Sequence, residues 1–358
     1  MEAIKSNIAI IGGGLTGLTL AYLLRDTGLK VVVIEARERF GGRIHTLRKK
    51  GLPPQEMGAT WLGKKHEALL SLLHELEVEI FEQIFGERAI YEPISTSPPQ
   101  LVQLPPNDDP SFRIKGGTGT LIDALLERID KAALYSQQKV ESIIKSNKKL
   151  ILKTNEVRFN ADLVVSTLPP NLFFTSIKTD PALPNELNGL MSQTHTWMGE
   201  SIKVALVFES PFWRSEKLSG TIFSSVGPIP EMYDHTNFED DQFALVGFLN
   251  GSYFSLSKEE RLQMILRQLR KYYGNKIDGF IAYEEAVWRN EPLTFSSYSS
   301  HVLPHQNNGH MVFQQPYLNG QLFIAGAETA PQHPGYMEGA VRSALHVAAK
   351  IKSLLAGV

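Results

Sequence analysis

Ile8-Ala9-Ile10-Ile11-Gly12-Gly13-Gly14-Leu15-Thr16-Gly17 decides how the rest of the chain is read. The four apolar residues suit a buried parallel strand, and the glycines stop it in a tight turn. From Leu15 to Arg25 apolar residues fall on nearly every face, as in a helix packed against a sheet, and Gly28 offers a C-terminal stop. Val31-Val32-Val33-Ile34 then predicts a second strand ending at Glu35. In that setting Gly12, Gly14 and Gly17 spell GxGxxG: the first permits the turn, the second lets the backbone approach a pyrophosphate, and the third lets helix and strand pack closely. The helix N-terminus adds unpaired N–H groups and a positive dipole end. Glu35, 23 residues after Gly12, stands where a carboxylate accepts both hydroxyls of an adenosine ribose, and it disfavours a 2′-phosphate. Gly12, Gly14, Thr16, Gly17, Glu35 and Ala36 are therefore candidate dinucleotide contacts.

Around this unit the composition is that of a globular protein: 358 residues, 42% apolar and 21% charged, with 36 basic against 38 acidic side chains. That length predicts about two domains. The charge balance gives no footprint for nucleic acid. With no cysteine there is no disulfide, no thiolate nucleophile, no cysteine-ligated zinc or iron–sulfur cluster, and no flavin attached through sulfur. The most apolar stretch, Ile8 to Leu24, is broken by glycines and falls short of a membrane span. With no leader pattern either, the expected location is cytoplasmic.

Farther along, six prolines between Pro93 and Pro110 exclude a helix or an inner strand and predict a surface connection. An amphipathic helix is expected over Leu121 to Ile129. Strands are expected around Lys139 to Ile144, Leu150 to Phe159 and Leu163 to Leu168, with a turn at Asn147-Lys148-Lys149. Residues 171–290 carry longer alternating strands (Lys203 to Phe208, Phe243 to Leu249, Ile281 to Trp288) and one helix, Lys258 to Tyr273, which reads as an inserted antiparallel layer. From Leu322 a buried-strand pattern returns, followed by a helix of roughly twenty residues from Gly335.

Glu38-Arg39-Phe40-Gly41-Gly42-Arg43 resembles the FAD-dependent amine oxidase family, the group of monoamine oxidase and polyamine oxidase, and the resemblance continues along nearly the whole chain. It implies that the Gly42-Arg43 loop crosses the pyrophosphate of FAD with Arg43 paired to it. Gly58-Ala59-Thr60-Trp61 looks like the loop past the isoalloxazine, and the strand holding Val140 like the one that meets adenine. Val164 to Pro170 matches the strand and double proline that leave the FAD domain. Ser201-Ile202-Lys203-Val204, then Pro211-Phe212-Trp213, resembles the strand whose lysine reaches flavin N5 through a water, a role that falls on Lys203. Trp288 corresponds to an aromatic packed by the flavin. Ala325-Gly326-Ala327-Glu328-Thr329 and Gly335-Tyr336-Met337-Glu338-Gly339-Ala340 match the closing signature, which adds Gly326, Glu328, Tyr336 and Met337 to the cofactor contacts. The last helix is implied to aim its positive end at the flavin, a stabilisation on the order of 0.5 to 2 kcal/mol. Tyr298 and Tyr336 stand where the family places two rings that face each other before the flavin. Ser297 occupies the position of the flavin-linking cysteine, so FAD is expected to be noncovalent.

The implied fold class is α/β: a Rossmann-like FAD-binding domain (1–75, 112–170 and 291–358) with an inserted antiparallel-sheet substrate domain of α+β type (76–111 and 171–290). On its own, Lys203 would point to water from an alternating strand, but its apolar neighbours Val204 to Phe208 predict burial, and a buried lysine needs a partner. Either tyrosine alone would read as a core aromatic. His301 and His305 are separated by Pro304 with no acid between them, so no metal site is expected. Gly199-Glu200-Ser201-Ile202 lacks the last glycine of a nucleophile elbow.

The family carries on the order of 100 further residues where this chain has only the proline-rich connection, a long loop without a subdomain. That leaves three arrangements open: a large substrate, a substrate presented by another protein, or a second subunit closing over the site. The resemblance implies oxidation of the C–H next to nitrogen of an amine to an imine, with hydride transfer to flavin N5 and reoxidation by O2 to H2O2. No arginine is identified that would grip a carboxylate, which favours amines over amino acids. A flavin desaturase on a carbon substrate, or a non-catalytic FAD-binding partner protein, remain as alternatives.

Overall fold

The computed structural model describes residues 3–216 and 218–356. Its first sheet is built on β1 (Ile4–Ile11), which pairs in parallel with β2 (Val31–Ile34) on one side and with the strand Arg158–Ser166 on the other. Ile8, Ala9 and Ile10 are fully buried. Both faces of β1 are covered, which is why the run is uniformly apolar rather than alternating. The helix α1 (Leu15–Leu24) packs its Leu15, Leu18 and Leu20 into one core with Ala340, Val341 and Ala344 of the last helix, Met337–Ala356. Leu134–Tyr135 extends the parallel set beyond β2, and Leu322–Ile324 joins the C-terminal half of Arg158–Ser166.

Antiparallel strands continue this sheet through Lys149–Thr154 and Val140–Ser146. The alternation read as one strand over Leu150 to Phe159 breaks at Asn155-Glu156, where the Thr154 N–H donates to the Val157 carbonyl at 3.0 Å. The residues after that turn run into the segment expected from Leu163, so Arg158–Ser166 is a single strand. Lys178–Asp180 pairs in parallel with Val140–Ser146. That segment thus lies in the first sheet, whereas the sequence pattern placed all of 171–290 in the second.

The second sheet runs in the order Ala282–Val287, Ile202–Phe208, Phe243–Leu249, Glu231–Asp234, Leu218–Ser224, Arg88–Glu92 and Gln100–Gln103. Its pairings are antiparallel except for Leu218–Ser224 against Arg88–Glu92. Gln100–Gln103 forms the edge between the two Pro-Pro pairs, where missing donors can face outward. One face of the sheet packs Ile202, Val204 and Leu206 against Ile265, Leu266 and Leu269 of the helix Lys258–Tyr273. That helix opens with a Ser257/Glu260 capping box and stops at Gly274, φ 60°. The other face turns Lys203 and Ala205 toward the first sheet, so all seven residues of Ile202–Phe208 are buried.

Candidate active site

The two glycine loops create the site. Gly12 adopts φ 103° and donates its N–H to the Ile34 carbonyl at 2.9 Å. A Cβ on Gly17 would lie 2.0 Å from the Gly12 carbonyl oxygen, so only glycine lets α1 sit this close to β1. The second loop lies on the first: Gly41 N–H donates to the Gly13 carbonyl at 2.8 Å, and a Cβ on Gly42 would stand 3.2 Å from Gly14 Cα. No side chain caps α1 at Gly14 and its first turn holds no acid, so this end retains unpaired donors and a positive potential. Beside it, Glu35 accepts from the Gly13 N–H (2.8 Å, Oε2) and the Arg37 N–H (2.8 Å, Oε1).

A cavity of about 540 Å³ begins at this turn and reaches the second sheet. Gly12, Gly14, Thr16, Glu35, Ala36, Gly42, Arg43, Gly58, Ala59, Thr60, Val140, Lys203, Trp288, Tyr336 and Met337, all expected at the site, line it together. Gly17, Gly326, Glu328 and Tyr298 do not line it. Gly17 serves helix packing, as above. Gly326 sits at φ 128° and donates its N–H to Ser343 Oγ at 3.0 Å. Glu328 is wholly buried and takes both ends of the Arg43 guanidinium, at 2.6 and 2.8 Å. Trp288, also buried, donates its indole N–H to the Met57 carbonyl at 2.7 Å. The turn with uncapped donors, the Glu35 carboxylate lining the cavity beside it and the space beside Gly14, where the nearest atom to an added Cβ is 3.9 Å away, fit an FAD.

Lys203, 2% exposed, projects into the opposite end. Its Nζ donates to the Gly58 carbonyl at 2.6 Å and to Thr60 Oγ1, and lies 4.7 Å from the Trp61 ring centre and 5.5 Å from that of Phe248. Burial pushes its pKa down to about 7, against the upward pull of the Glu56 and Glu231 carboxylates. Glu56 is itself raised by burial, opposed by the charge of Lys203, the Thr118 N–H at 2.5 Å and the Thr46 hydroxyl at 2.9 Å. A lysine in this setting exchanges a proton near neutrality.

Of the two expected rings, Tyr336 lines the cavity and Tyr298 does not. The Tyr298 hydroxyl accepts from the Thr196 N–H at 2.8 Å, and its ring lies 5.6 Å from Phe295 and 6.4 Å from His195. Burial raises its pKa, while the Thr196 hydrogen bond lowers it. Tyr336 instead neighbours Trp197 at 5.4 Å, and Trp197 stacks on His305 at 4.0 Å. Trp197 and Tyr336 line the cavity. A second aromatic group, Trp61 with Tyr233 (5.2 Å), Phe248 (6.1 Å from Trp61) and Phe85 (6.2 Å from Tyr233), lines the cavity's end in the second sheet. Sequence reasoning missed Trp197, Tyr233, Phe248 and Glu231. The one local signal was alternation on Phe243–Leu249, which puts Phe248 opposite Lys203 once the register is known.

Among the described residues no group of three or more His, Cys, Asp or Glu is placed to hold a metal ion, and no helix is long and apolar enough to cross a membrane. The sequence profile of a family described as flavin containing amine oxidoreductase matches residues 15–93 and 94–352. A probable flavin-containing monoamine oxidase A of Dictyostelium discoideum is 25% identical over 454 residues, covering 98% of either chain. The flavin-containing amine oxidase B of Mus musculus is 27% identical, over 97% of this chain and 86% of that one. Both alignments, at 454 and 457 residues, are longer than this 358-residue chain, so these relatives carry stretches that it lacks. Two solved structures share the fold. Putrescine oxidase bound to putrescine superposes with a TM-score of 0.86 at 24% identity, over 98% of this chain and 100% of that one. Cyclohexylamine oxidase from Brevibacterium oxydans gives 0.86 at 20% identity, over 98% and 99%.

Proposed function

The chain belongs to the family of flavin-containing amine oxidoreductases, as an FAD-dependent oxidoreductase, and from that premise we propose that it oxidises the C–H bond next to nitrogen in an amine, giving an imine. The observation that carries this reading is Lys203, fixed on the Gly58 carbonyl and Thr60 in the same cavity that begins at the glycine turn. When bound, FAD supplies the acceptor for a hydride equivalent at N5 and passes the electron pair to O2 as H2O2.

The N–H groups opening α1 would hold the pyrophosphate, and Glu35 the adenosine ribose, whereas Arg43, expected at the pyrophosphate, has its guanidinium on Glu328 and the Trp197 carbonyl. Trp288 and the Gly58-Ala59-Thr60 loop would flank the ring system. The complete lack of cysteine supports a noncovalent cofactor. Lys203 would hold or release a proton at Nζ, serving peroxide formation or imine hydrolysis. Trp197 and Tyr336 would pack on the amine and exclude water from the carbon that loses hydride, which keeps donor and acceptor aligned. Arg43 is committed to Glu328, and Arg37 to Glu291 and Thr294. Neither is free to grip a carboxylate, which supports amines over amino acids. A cytoplasmic location, and a second copy or another protein over the shortened entrance, belong to the same proposal.

An untargeted amine screen scored by peroxide release tests it. Release with at least one amine, slowed in Lys203→Met while FAD stays bound, is expected. Wild-type rates in that variant would remove the role given to Lys203, and a flavin that no amine bleaches without oxygen would remove the activity.

A further inference from the structure

Beyond Gly58-Ala59-Thr60, the loop given to the flavin ring, the chain passes Leu62 and enters a tight turn that ends on His66. That turn is closed twice. The His66 N–H donates to the Gly63 carbonyl at 2.9 Å, and the Gly63 N–H donates back to His66 Nδ1 at 3.1 Å. His66 is 9% exposed and lines the cavity, as do Ala59, Tyr336 and Met337. Nothing in the proposed oxidation uses it.

Two contacts fix where the imidazole stands. His66 precedes the helix Glu67–Glu75, and the opening N–H groups of Ala68 and Leu69 donate to the Glu338 carboxylate at 3.1 and 2.8 Å. Glu338 belongs to the first turn of the last helix, and Arg342 Nε donates to it at 2.6 Å. The start of one helix is thereby tied to the start of the other, next to Met337. The His66 ring also meets that of His333 edge to face at 5.3 Å.

The hydrogen bond from Gly63 decides the tautomer. Nδ1 accepts it and so carries a lone pair, which leaves the proton of the neutral ring on Nε2. Burial, and then the neighbouring His333, lower the pKa of His66 against the pull of Glu338, so the ring is neutral at pH 7. Among the described residues nothing accepts from Nε2. A buried imidazole with one N–H unused faces a cavity that fits FAD. A hydride equivalent brings that cofactor two electrons and one proton, so its ring gains a negative charge, and a fixed donor beside the ring stabilises the charged form more than the neutral one.

We infer that the Nε2–H of His66 donates to the isoalloxazine ring of FAD and favours the reduced, negatively charged cofactor over the oxidised one. This rests on the cavity as the FAD site and is independent of which amine is oxidised. A rival role, His66 as no more than the closure of the Gly63 turn, would affect stability and leave the cofactor's potential alone.

The test measures the midpoint potential of the FAD-loaded protein by dye-coupled reduction without any amine, in wild type, His66→Asn and His66→Gln. Asparagine offers an oxygen where Nδ1 accepts from Gly63 but does not reach as far as Nε2, whereas glutamine carries a donor that does. His66→Asn should lie about 30 mV or more below wild type, a tenfold loss of preference for the reduced form, and His66→Gln should recover most of it. A wild-type potential in His66→Asn, or an equal drop in both variants, overturns the inference. A second arm needs no variant: nitrogen NMR of histidine-labelled protein should show His66 protonated on Nε2, with that resonance shifting when FAD is added. A proton on Nδ1, or a resonance indifferent to FAD, overturns it. If no amine is oxidised, the activity reading fails while both arms still decide the role of His66, and a chain that takes up no FAD overturns both.

Discussion

Arg43 clasps Glu328 through two guanidinium nitrogens, at 2.6 and 2.8 Å, while Arg43 also donates to the Trp197 carbonyl at 2.9 Å and Glu328 accepts the Trp197 N–H at 3.1 Å. Three distant segments are thereby locked into one wall of the cavity. Glu328 is fully buried, and a buried carboxylate deprived of its cation is expensive. Arg43→Ala should lower the stability of the FAD-free protein by ~3 kcal/mol in denaturant unfolding. Arg43→Lys, which cannot form the two-pronged contact, should fall between. Unchanged unfolding in Arg43→Ala would mean that the pair holds nothing together.

The glycines of the turn divide into two kinds. A Cβ on Gly17 meets the Gly12 carbonyl oxygen at 2.0 Å, whereas one on Gly14, which has extended backbone, meets nothing closer than 3.9 Å. Gly17→Ala should therefore cost roughly 1 to 3 kcal/mol of stability by overpacking. Gly14→Ala should unfold at the wild-type midpoint yet bind FAD at least about tenfold more weakly, because the methyl group fills the approach to the pyrophosphate. Thermal scans with and without FAD separate the two, and a Gly14→Ala protein that keeps wild-type affinity would place the cofactor elsewhere.

Lys203 gives a pH signature. Its pKa is about 7 when buried, against 10.5 for an ordinary lysine. Below about pH 7 it is charged in folded and unfolded chains, and the full burial penalty is present. Between about 7 and 10.5 the unfolded chain binds the extra proton, so stability rises with pH. Lys203→Met removes this slope. The melting temperature of the FAD-free variant relative to wild type should be highest at and below pH 7 and should decline as the pH approaches 10.5. A difference independent of pH would show that the amine is not held in a desolvated place.

Tyr298 and Tyr336 should respond differently to substitution. Tyr298→Phe leaves the Thr196 N–H without its acceptor and should cost about 1 kcal/mol in unfolding. Tyr336→Ala, at a side chain 42% exposed, should leave the unfolding midpoint nearly unchanged while lowering kcat/KM for amines. The reverse pattern would place Tyr298, rather than Tyr336, at the amine.

The parts of the site that were legible in the sequence are those fixed by neighbours in the chain. The turn from Gly12 to Gly17, the acid at Glu35 and the burial of Lys203 follow from local pattern, since a central strand covered on both faces must be apolar throughout. What the sequence hid depends on contacts between distant segments. Glu231 was invisible because no local pattern states the register that aligns it with Phe248 and Lys203. Trp197 was hidden because the loop after Tyr298 folds back through His305 and Asn307, both at positive φ (60° and 59°), and His305 lies on Trp197. Counting along the chain cannot foresee such a reversal.

Anaerobic mixing of the purified, FAD-loaded protein with an amine panel, followed by visible absorbance, puts the whole reading to its most direct trial. A yellow protein that loses its colour with at least one amine, and regains it when oxygen is admitted, is the predicted result. A colourless chain that declines added FAD, or a bound flavin that stays yellow with every amine, would contradict it.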